Sequence, residues 1–428
     1  MSGPGPGSPD GSAWRSWVEA SCRVVDAAGQ WRRPRTFDAR GPVGQLPVTG
    51  DGRSGVEVVS FASNDYLGLS THPAVVSAAH EALDRWGAGS GASRLVTGSR
   101  PVHAELEEAL ARWKGCERAV LLPTGFAANL SVLEVFAAEG AHLFSDELNH
   151  ASIIDGCRAA RAGVTVYRHG DLDQLDALLG TVPGRPVVVT DTVFSMDGDA
   201  ADLDGLVEVA GRHGALLVLD EAHAVLGPEL TADRSGTPAG AVDVLRVGTL
   251  SKTLGALGGF VAGPTRFIEL LENRARPYIF TTAPTPADAA AGLAALRVVR
   301  SAEGDQLRSR LGGHVARVSA ALGRTSQPSP IVPVVIGEEE RAVAASAELL
   351  DRGLWVPAIR PPTVPPGTSR LRVTVSAAHT DEQVDGLVAA LGALGLAGGG
   401  DGADTGTGAG QATAGVTPGG RGGAVVAP

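Results

Sequence analysis

Seven short apolar runs punctuate the middle of the chain: "RAVLL" at 118–122, "AHLFS" at 141–145, "GVTVYR" at 163–168, "RPVVVT" at 185–190, "ALLVLD" at 215–220, "DVLRVGT" at 243–249 and "GGFVAG" at 258–263. Several are β-branched, and Gly, Pro or Asp bounds them, which predicts buried strands. Segments such as "LDGLVEVAGRHG" at 203–214 lie between them with apolar residues at helical spacing. The alternation predicts an α/β unit, a mainly parallel sheet with helices on both faces. After the prolines at 284 and 286 the pattern changes. A long Ala/Leu/Arg-rich helix is followed by "IVPVVIG", a second helix, "GLWVPAIRPPTVPPGTSRLRVTVSAAHT" and a last helix, as in a smaller α+β domain.

This pattern divides the chain into a head at 1–12, an N-terminal arm at 13–60, a large domain at 61–286, a small C-terminal domain at 287–395 and a tail at 396–428. Head and tail are low-complexity Gly, Ala, Pro, Ser and Thr. With almost no large apolar group they cannot offset their ordering entropy, so disorder is expected there. No internal repeat is visible.

Composition narrows the function classes. A net charge of -11 over 428 residues argues against a nucleic-acid partner, which requires a concentrated basic surface. Cys22, Cys116 and Cys157 are odd in number and form no CxxC pair, which suits a reduced, cytoplasmic protein without structural zinc. The first residues lack the basic and apolar regions of a signal peptide, and no apolar run reaches membrane-spanning length. The Lys plus Arg total is 36, yet lysine stands only at Lys114 and Lys252. A chain that writes Arg for positive charge keeps Lys where an amine must lose its proton and attack a carbonyl. Lys252 sits in the glycine-rich "GTLSKTLGALGGF", whereas Lys114, in the polar "ARWKGCER", reads as a surface cation.

Ligands of open α/β sheets bind at the carboxyl ends of the strands. There the chain places Asp220 and, three residues on, His223; Thr249 and then Lys252; and Gly125 with Phe126 at a strand-to-helix turn whose free N–H groups suit a phosphate. Taken singly, the Asp is an N-cap, the His a satisfied polar group and the Gly a tight turn. Together, an amine, an acid, an imidazole and an anion-binding turn are what pyridoxal phosphate requires. "GTLSKT" lacks the glycine before lysine of a P-loop, "GAGSGASR" is not GxGxxG, and no His/Cys cluster indicates a catalytic metal.

From about Trp14 to Gly395 the chain resembles the α-oxoamine synthases, pyridoxal-phosphate enzymes of the aspartate-aminotransferase-like fold. The matching stretches are "FASNDYLGLSTHP", "GAGSGASRLVTGS", "HAELEEALARW", "TGFAANL", "LNHASIIDG", "VFSMDGD", "DEAH", "GTLSK" and "AIRPPTVPPGTSRLRVTVSAAH". The resemblance implies that Lys252 takes up the cofactor aldehyde, Asp220 pairs with the pyridine nitrogen, His223 bonds the phenolic oxygen and His150 stacks on the ring. It implies further that Gly125, Phe126, Ser195 and Thr249 hold the cofactor, with Thr281 or Thr282 reaching the phosphate in a second copy of a homodimer. Arg372 is implied as the anchor of the substrate carboxylate, and Asn64, Thr363 and Arg32 as further substrate-side positions. The last quoted stretch favours the branch that condenses L-alanine with a pimeloyl thioester, of coenzyme A or acyl carrier protein, in biotin biosynthesis. Glycine or another acyl donor, or cofactor binding without turnover, are the alternatives. Two positions depart from the family pattern: Ala224-Val225 after "DEAH", and Asp191-Thr192 before "VFSMDGD".

Overall fold

The computed structural model describes residues 12–32, 34–47, 55–230, 242–326 and 328–398. The head, apart from its last residue, and nearly all of the tail lie outside the described residues. The N-terminal part contributes α1 (Ser12–Ala27), β1 (Asp38–Ala39), β2 (Val43–Leu46) and β3 (Val56–Ser60), then α2 (Pro73–Trp86) and α3 (Pro101–Lys114). The alternating part follows with β4 (Arg118–Leu122), α4 (Gly125–Phe136), β5 (Ala141–Asp146), α5 (Ala151–Ala159), β6 (Gly163–Tyr167), α6 (Leu172–Leu179), β7 (Arg185–Asp191), α7 (Leu203–His213), β8 (Leu216–Asp220), β9 (Val244–Thr249) and β10 (Gly259–Gly263). Next come α8 (Thr265–Arg274), α9 (Arg276–Ile279), α10 (Pro286–Val299) and α11 (Ala302–Ala321). The chain ends in β11 (Ile331–Gly337), α12 (Glu339–Asp351), β12 (Leu354–Trp355), β13 (Ala358–Ile359), β14 (Ser369–Thr374) and α13 (Asp381–Ala393).

All seven apolar runs form one sheet in the order β4-β10-β9-β8-β7-β5-β6. Its pairs are parallel from β9 to β6, and β10 runs antiparallel to both β9 and β4. Alternate residues serve opposite faces, as strand geometry requires. Val187 and Val189 of β7 pack with α4, α5 and α8, while Val188 packs with α6 and α7. Local signals set the helix ends: Thr124, Asp171, Asp202 and Thr285 each accept a backbone N–H as N-caps, and Gly115, at φ 63, closes α3.

The C-terminal part holds an antiparallel sheet, β11-β14-β13. Strands β1 to β3 of the expected arm join β12 in a separate sheet, with β3 and β12 parallel, so residues far apart in sequence share one sheet. One core continues across position 286, from Leu106 and Leu110 through Leu293 and Leu296 to Leu311, Leu371 and Val373. Among the described residues no helix is long and apolar enough to cross a membrane.

Candidate active site

Because β4, β5, β7, β8 and β9 point the same way, the loops after them meet at one edge of the sheet. They deliver Gly125, His150, Ser195, His223 and Lys252 respectively. Strand pairing brings the two carboxylates together. Asp191 and Asp220 end β7 and β8 as register partners, and both are buried.

Asp220 is held from two directions: the Asn129 amide donates to its Oδ2 at 2.7 Å, and the Ala222 N–H donates to its Oδ1 at 2.9 Å. Asn129 donates also to Ser152 Oγ at 2.8 Å, tying α4 and α5 to this carboxylate. Asp191 accepts the backbone N–H of His150 at 2.7 Å, which fixes the start of α5. Burial and the neighbouring Asp220 push the Asp191 carboxyl well above the ordinary range, against the opposing pull of the His150 N–H. The His150 imidazole caps α5, its Nδ1 accepting the Ser152 N–H at 3.2 Å, and the residue is exposed. Its ring is nevertheless part-buried against Ser152, and this desolvation lowers the His150 pKa, with Asp220 opposing it.

Lys252 Nζ lies 2.9 Å from His223 Nε2, and among the described residues it has no carboxylate within ion-pairing distance. Burial lowers its pKa, although Asp220 and Asp191 oppose the shift. His223 is pushed down as well, first by burial and then by Lys252 and Arg372. His223 Nδ1 is 2.5 Å from the hydroxyl of Tyr66, whose oxygen is 3.2 Å from Asn64 Oδ1. One assignment of protons satisfies the whole chain: Lys252 donates to His223, His223 to Tyr66, and Tyr66 to Asn64. The Lys252 turn is closed by Gly255, at φ +61, where an added Cβ would come within 2.3 Å of the Ser70 backbone N. Only glycine fits both the angle and that approach.

Arg372 is buried rather than a surface cation. It donates through Nε to Ser195 O at 2.6 Å and through NH1 to Thr374 Oγ1 at 3.0 Å; NH1 and NH2 both reach Asn64 Oδ1 at 3.3 Å. Helix α4 opens at Gly125, with Thr124 Oγ1 taking only the Ala127 N–H, so the first-turn N–H groups of Gly125 and Phe126 have no intrahelical acceptor. A Cβ on Gly125 would sit 3.2 Å from that of Thr249, whose hydroxyl bonds Ser251 Oγ at 2.7 Å and Gly258 O at 3.0 Å.

The structure thus gathers Lys252, Asp220, His223 and His150, with Gly125, Phe126 and Thr249 beside them and Arg372, Asn64 and Ser195 opposite. Thr281 and Thr282 lie apart on an exposed rim, Thr282 bridging to Ser93. Thr363 and Arg32 are exposed, and neither side chain makes a polar contact among the described residues. The reading of Lys114 as a surface cation is overturned. Its ammonium is buried, 2.8 Å from Glu221 Oε2, and Glu221 also accepts Arg246 Nε at 2.6 Å. A polar local sequence does not expose a residue that closes a helix over a buried carboxylate.

Tyr66, Asn129 and Asp191 were not singled out as site residues from the sequence. Asn129 carried a usable signal, a lone amide in the otherwise apolar "GFAANL", and Asp191 stands at a strand end. Nothing local marks Tyr66.

These residues fit pyridoxal phosphate by their donor set: an amine of lowered pKa, a braced carboxylate beneath it, free helix N–H groups with hydroxyls to one side, and an exposed imidazole. The model of the aminotransferase class I and II family matches residues 56–391, and the chain belongs to that family. It is a pyridoxal-phosphate-dependent enzyme. The 8-amino-7-oxononanoate synthase of Anaeromyxobacter dehalogenans is 50% identical over 389 residues, covering 88% of this chain and 95% of that protein. The synthase of the same name from Burkholderia thailandensis is 48% identical over 386 residues, covering 87% and 96%. A serine palmitoyltransferase of S. paucimobilis, solved with PLP and myriocin, superposes with a TM-score of 0.79 at 30% identity, covering 90% of this chain and all of that one.

Proposed function

We propose that the chain catalyses the decarboxylative condensation of L-alanine with a pimeloyl thioester, giving 8-amino-7-oxononanoate, carbon dioxide and the free thiol, as a step of biotin biosynthesis. The reading draws on the relatives' names. The observation that carries it is an amine bonded to His223, its pKa lowered by burial, with no carboxylate within ion-pairing distance among the described residues, and with Asp220 and Arg372 acting on it electrostatically.

When bound, pyridoxal phosphate supplies an aldehyde for the amino group and a ring that accepts electrons. Asp220, braced by Asn129, would hold a proton at the ring nitrogen. The Arg372 fork would hold the alanine carboxylate, displacing the two long bonds to Asn64. Lys252, whose burial favours the neutral amine, then takes the Cα proton. Alanine Cα attacks the thioester carbonyl, the thiol leaves, and the resulting β-keto acid loses carbon dioxide. His150, an exposed residue at this edge of the sheet, would return a proton to the product carbon.

We read the protein as a cytoplasmic homodimer. Its cysteines are unpaired, which suits a reducing compartment. The loop at 87–99 is fastened to the 280–284 segment by Ala283 N–H to Ala92 O at 3.0 Å and Ser90 Oγ to Pro284 O at 2.6 Å. Their shared rim exposes Leu95, Val96 and Phe280 beside Thr281 and Thr282, an apolar surface that a second copy would cover.

The test is turnover by purified enzyme with alanine against glycine and with pimeloyl against acetyl thioesters. Carbon dioxide release with alanine and the pimeloyl donor is expected. Preference for glycine or the short donor would move the enzyme to another member reaction of its family, and cofactor binding with no release from any donor would leave a binding protein.

A further inference from the structure

The turn between β7 and α7 touches both domains. Its root is knotted to the large sheet: Val193 bridges Ala200, the Phe194 N–H donates to Asp199 O at 3.0 Å, and His169 Nε2 lies 2.7 Å from Asp199 Oδ2. The other nitrogen of His169 is 3.1 Å from Asp146 Oδ1 at the end of β5. Between these ties the tip, Ser195 to Gly198, faces β14 of the small domain. Strand β14 sends Leu371 and Val373 into the core and Arg370, Arg372 and Thr374 to the opposite face, by simple alternation. Two guanidiniums therefore face one turn: Arg370 NH1 pairs with Asp197 Oδ1, and Arg372 Nε donates to Ser195 O at 2.6 Å.

The bonds of Arg372 are unequal. Its Nε edge is held at 2.6 Å by a carbonyl, and one N–H of NH1 is spent on Thr374 Oγ1 at 3.0 Å, whereas across the edge formed by NH1 and NH2 the two nitrogens share one Asn64 oxygen at 3.3 Å. The loosely held edge is the one a carboxylate takes with two parallel bonds. The firmly held edge sets where that fork points. Because Ser195 and Asp197 belong to one short turn, the position of the Ser195 carbonyl depends on the pair formed by Asp197 and Arg370, an anchor that is buried on its arginine side.

We propose that Asp197 and Arg370 form an interdomain clasp that aims Arg372 at the amino-acid carboxylate, making both positioning residues for the amino-acid substrate. The clasp rests on the reading of Arg372 as the carboxylate anchor. It predicts that loosening the turn weakens binding of the amino acid selectively, since neither residue touches Lys252 or Asp220.

The test uses cofactor-loaded Asp197→Asn, Arg370→Gln and the double variant, with Arg372→Lys as the control. Visible titration with alanine gives the binding constant, and steady-state kinetics give KM for the acyl thioester. Each single variant should bind alanine on the order of tenfold more weakly, the loss of one hydrogen bond to a charged group, with cofactor absorption and the acyl-donor KM unmoved. The double variant should be no worse than the poorer single one. Unchanged alanine affinity in Asp197→Asn overturns the clasp, as does a parallel fall of cofactor content and both substrate constants, which marks a merely structural pair. Should Arg370→Gln fail to fold, Asp197→Asn decides alone, its carboxylate being partly open to solvent. If Arg372→Lys leaves alanine binding intact, the anchor itself falls and the clasp with it. If that control weakens binding while Asp197→Asn does not, only the clasp is lost.

Discussion

The chain's two lysines answer the same problem, a cation removed from water, in opposite ways. Lys114 closes α3 over Glu221, 2.8 Å away, and Arg246 completes a buried group of two cations and one carboxylate. Burial alone would raise the Glu221 pKa, but Lys114 and Arg246 outweigh it and hold it below the ordinary range. Lys252 has an imidazole, not a carboxylate, at 2.9 Å, and burial depresses its pKa. The two sites are back to back. Asp220 ends β8 and Glu221 follows it in the chain, and one carboxylate acts on Lys252 while the other binds the ion cluster. Burial with a matched partner leaves a charge paired, whereas burial without one pulls an amine's pKa down toward the neutral form.

The largest effect is expected from Lys252→Ala, where turnover should fall by roughly a thousandfold or more because the reacting amine is gone. Borohydride reduction of the parent holoenzyme followed by peptide mapping should place the pyridoxyl label on Lys252. A label on Lys114 would erase the distinction between the two lysines.

Lys114→Met should instead cost stability, about 3 kcal/mol for a broken buried ion pair, with turnover per bound cofactor retained. Denaturant midpoints and a cofactor-normalised rate separate the two. A collapse of the normalised rate would mean that the ion cluster reaches into the chemistry.

Tyr66→Phe sharpens the Lys252 side by deleting the acceptor of the His223 N–H. An unpaired buried donor costs about 1–3 kcal/mol, so kcat should fall on the order of tenfold while the cofactor still binds. An unaltered kcat would remove Tyr66 from the site.

The smallest effect repeats the comparison with two histidines. His169, flanked by Asp146 and Asp199, is raised from 6.5 to about 10 although burial opposes this. His379, stacked on Phe61 and bonded only to backbone groups, is lowered by burial from 6.5 to about 4. A raised pKa stabilises fully below the unfolded value and fades as pH climbs toward 10; a lowered one withdraws stability as pH falls from 6.5 toward 4. Denaturation midpoints across pH should therefore lose their acid-side slope in part in His379→Gln and their alkaline-side slope in part in His169→Gln. Identical slopes in parent and variants would show that neither histidine's proton is linked to folding.

The apolar runs alone placed the strands of the large sheet, since a parallel sheet buried on both faces demands continuous β-branched stretches, and these stand out in any local window. The same runs ended at Asp220, at Thr249 and three residues before Gly125, so that much of the site could be read as a set of strand ends. The scarcity of lysine pointed at Lys252 for a chemical reason independent of fold. Composition could not separate the two lysines, because burial of Lys114 depends on Glu221 and Arg246, 107 and 132 positions away by their numbering.

What only the tertiary structure decided is everything that depends on two segments meeting. Tyr66 reaches His223 across 157 positions, Arg372 reaches Asn64 across 308, and Asp191 meets Asp220 by strand register. The sequence by itself determined the elements, their order and the supply of reactive groups at one edge, because those follow from local periodicity and residue chemistry. Which groups share a proton, which amine has no carboxylate within ion-pairing distance among the described residues and which edge of Arg372 is only loosely held are set by distances of about 3 Å between distant parts of the chain, the range over which hydrogen bonds act.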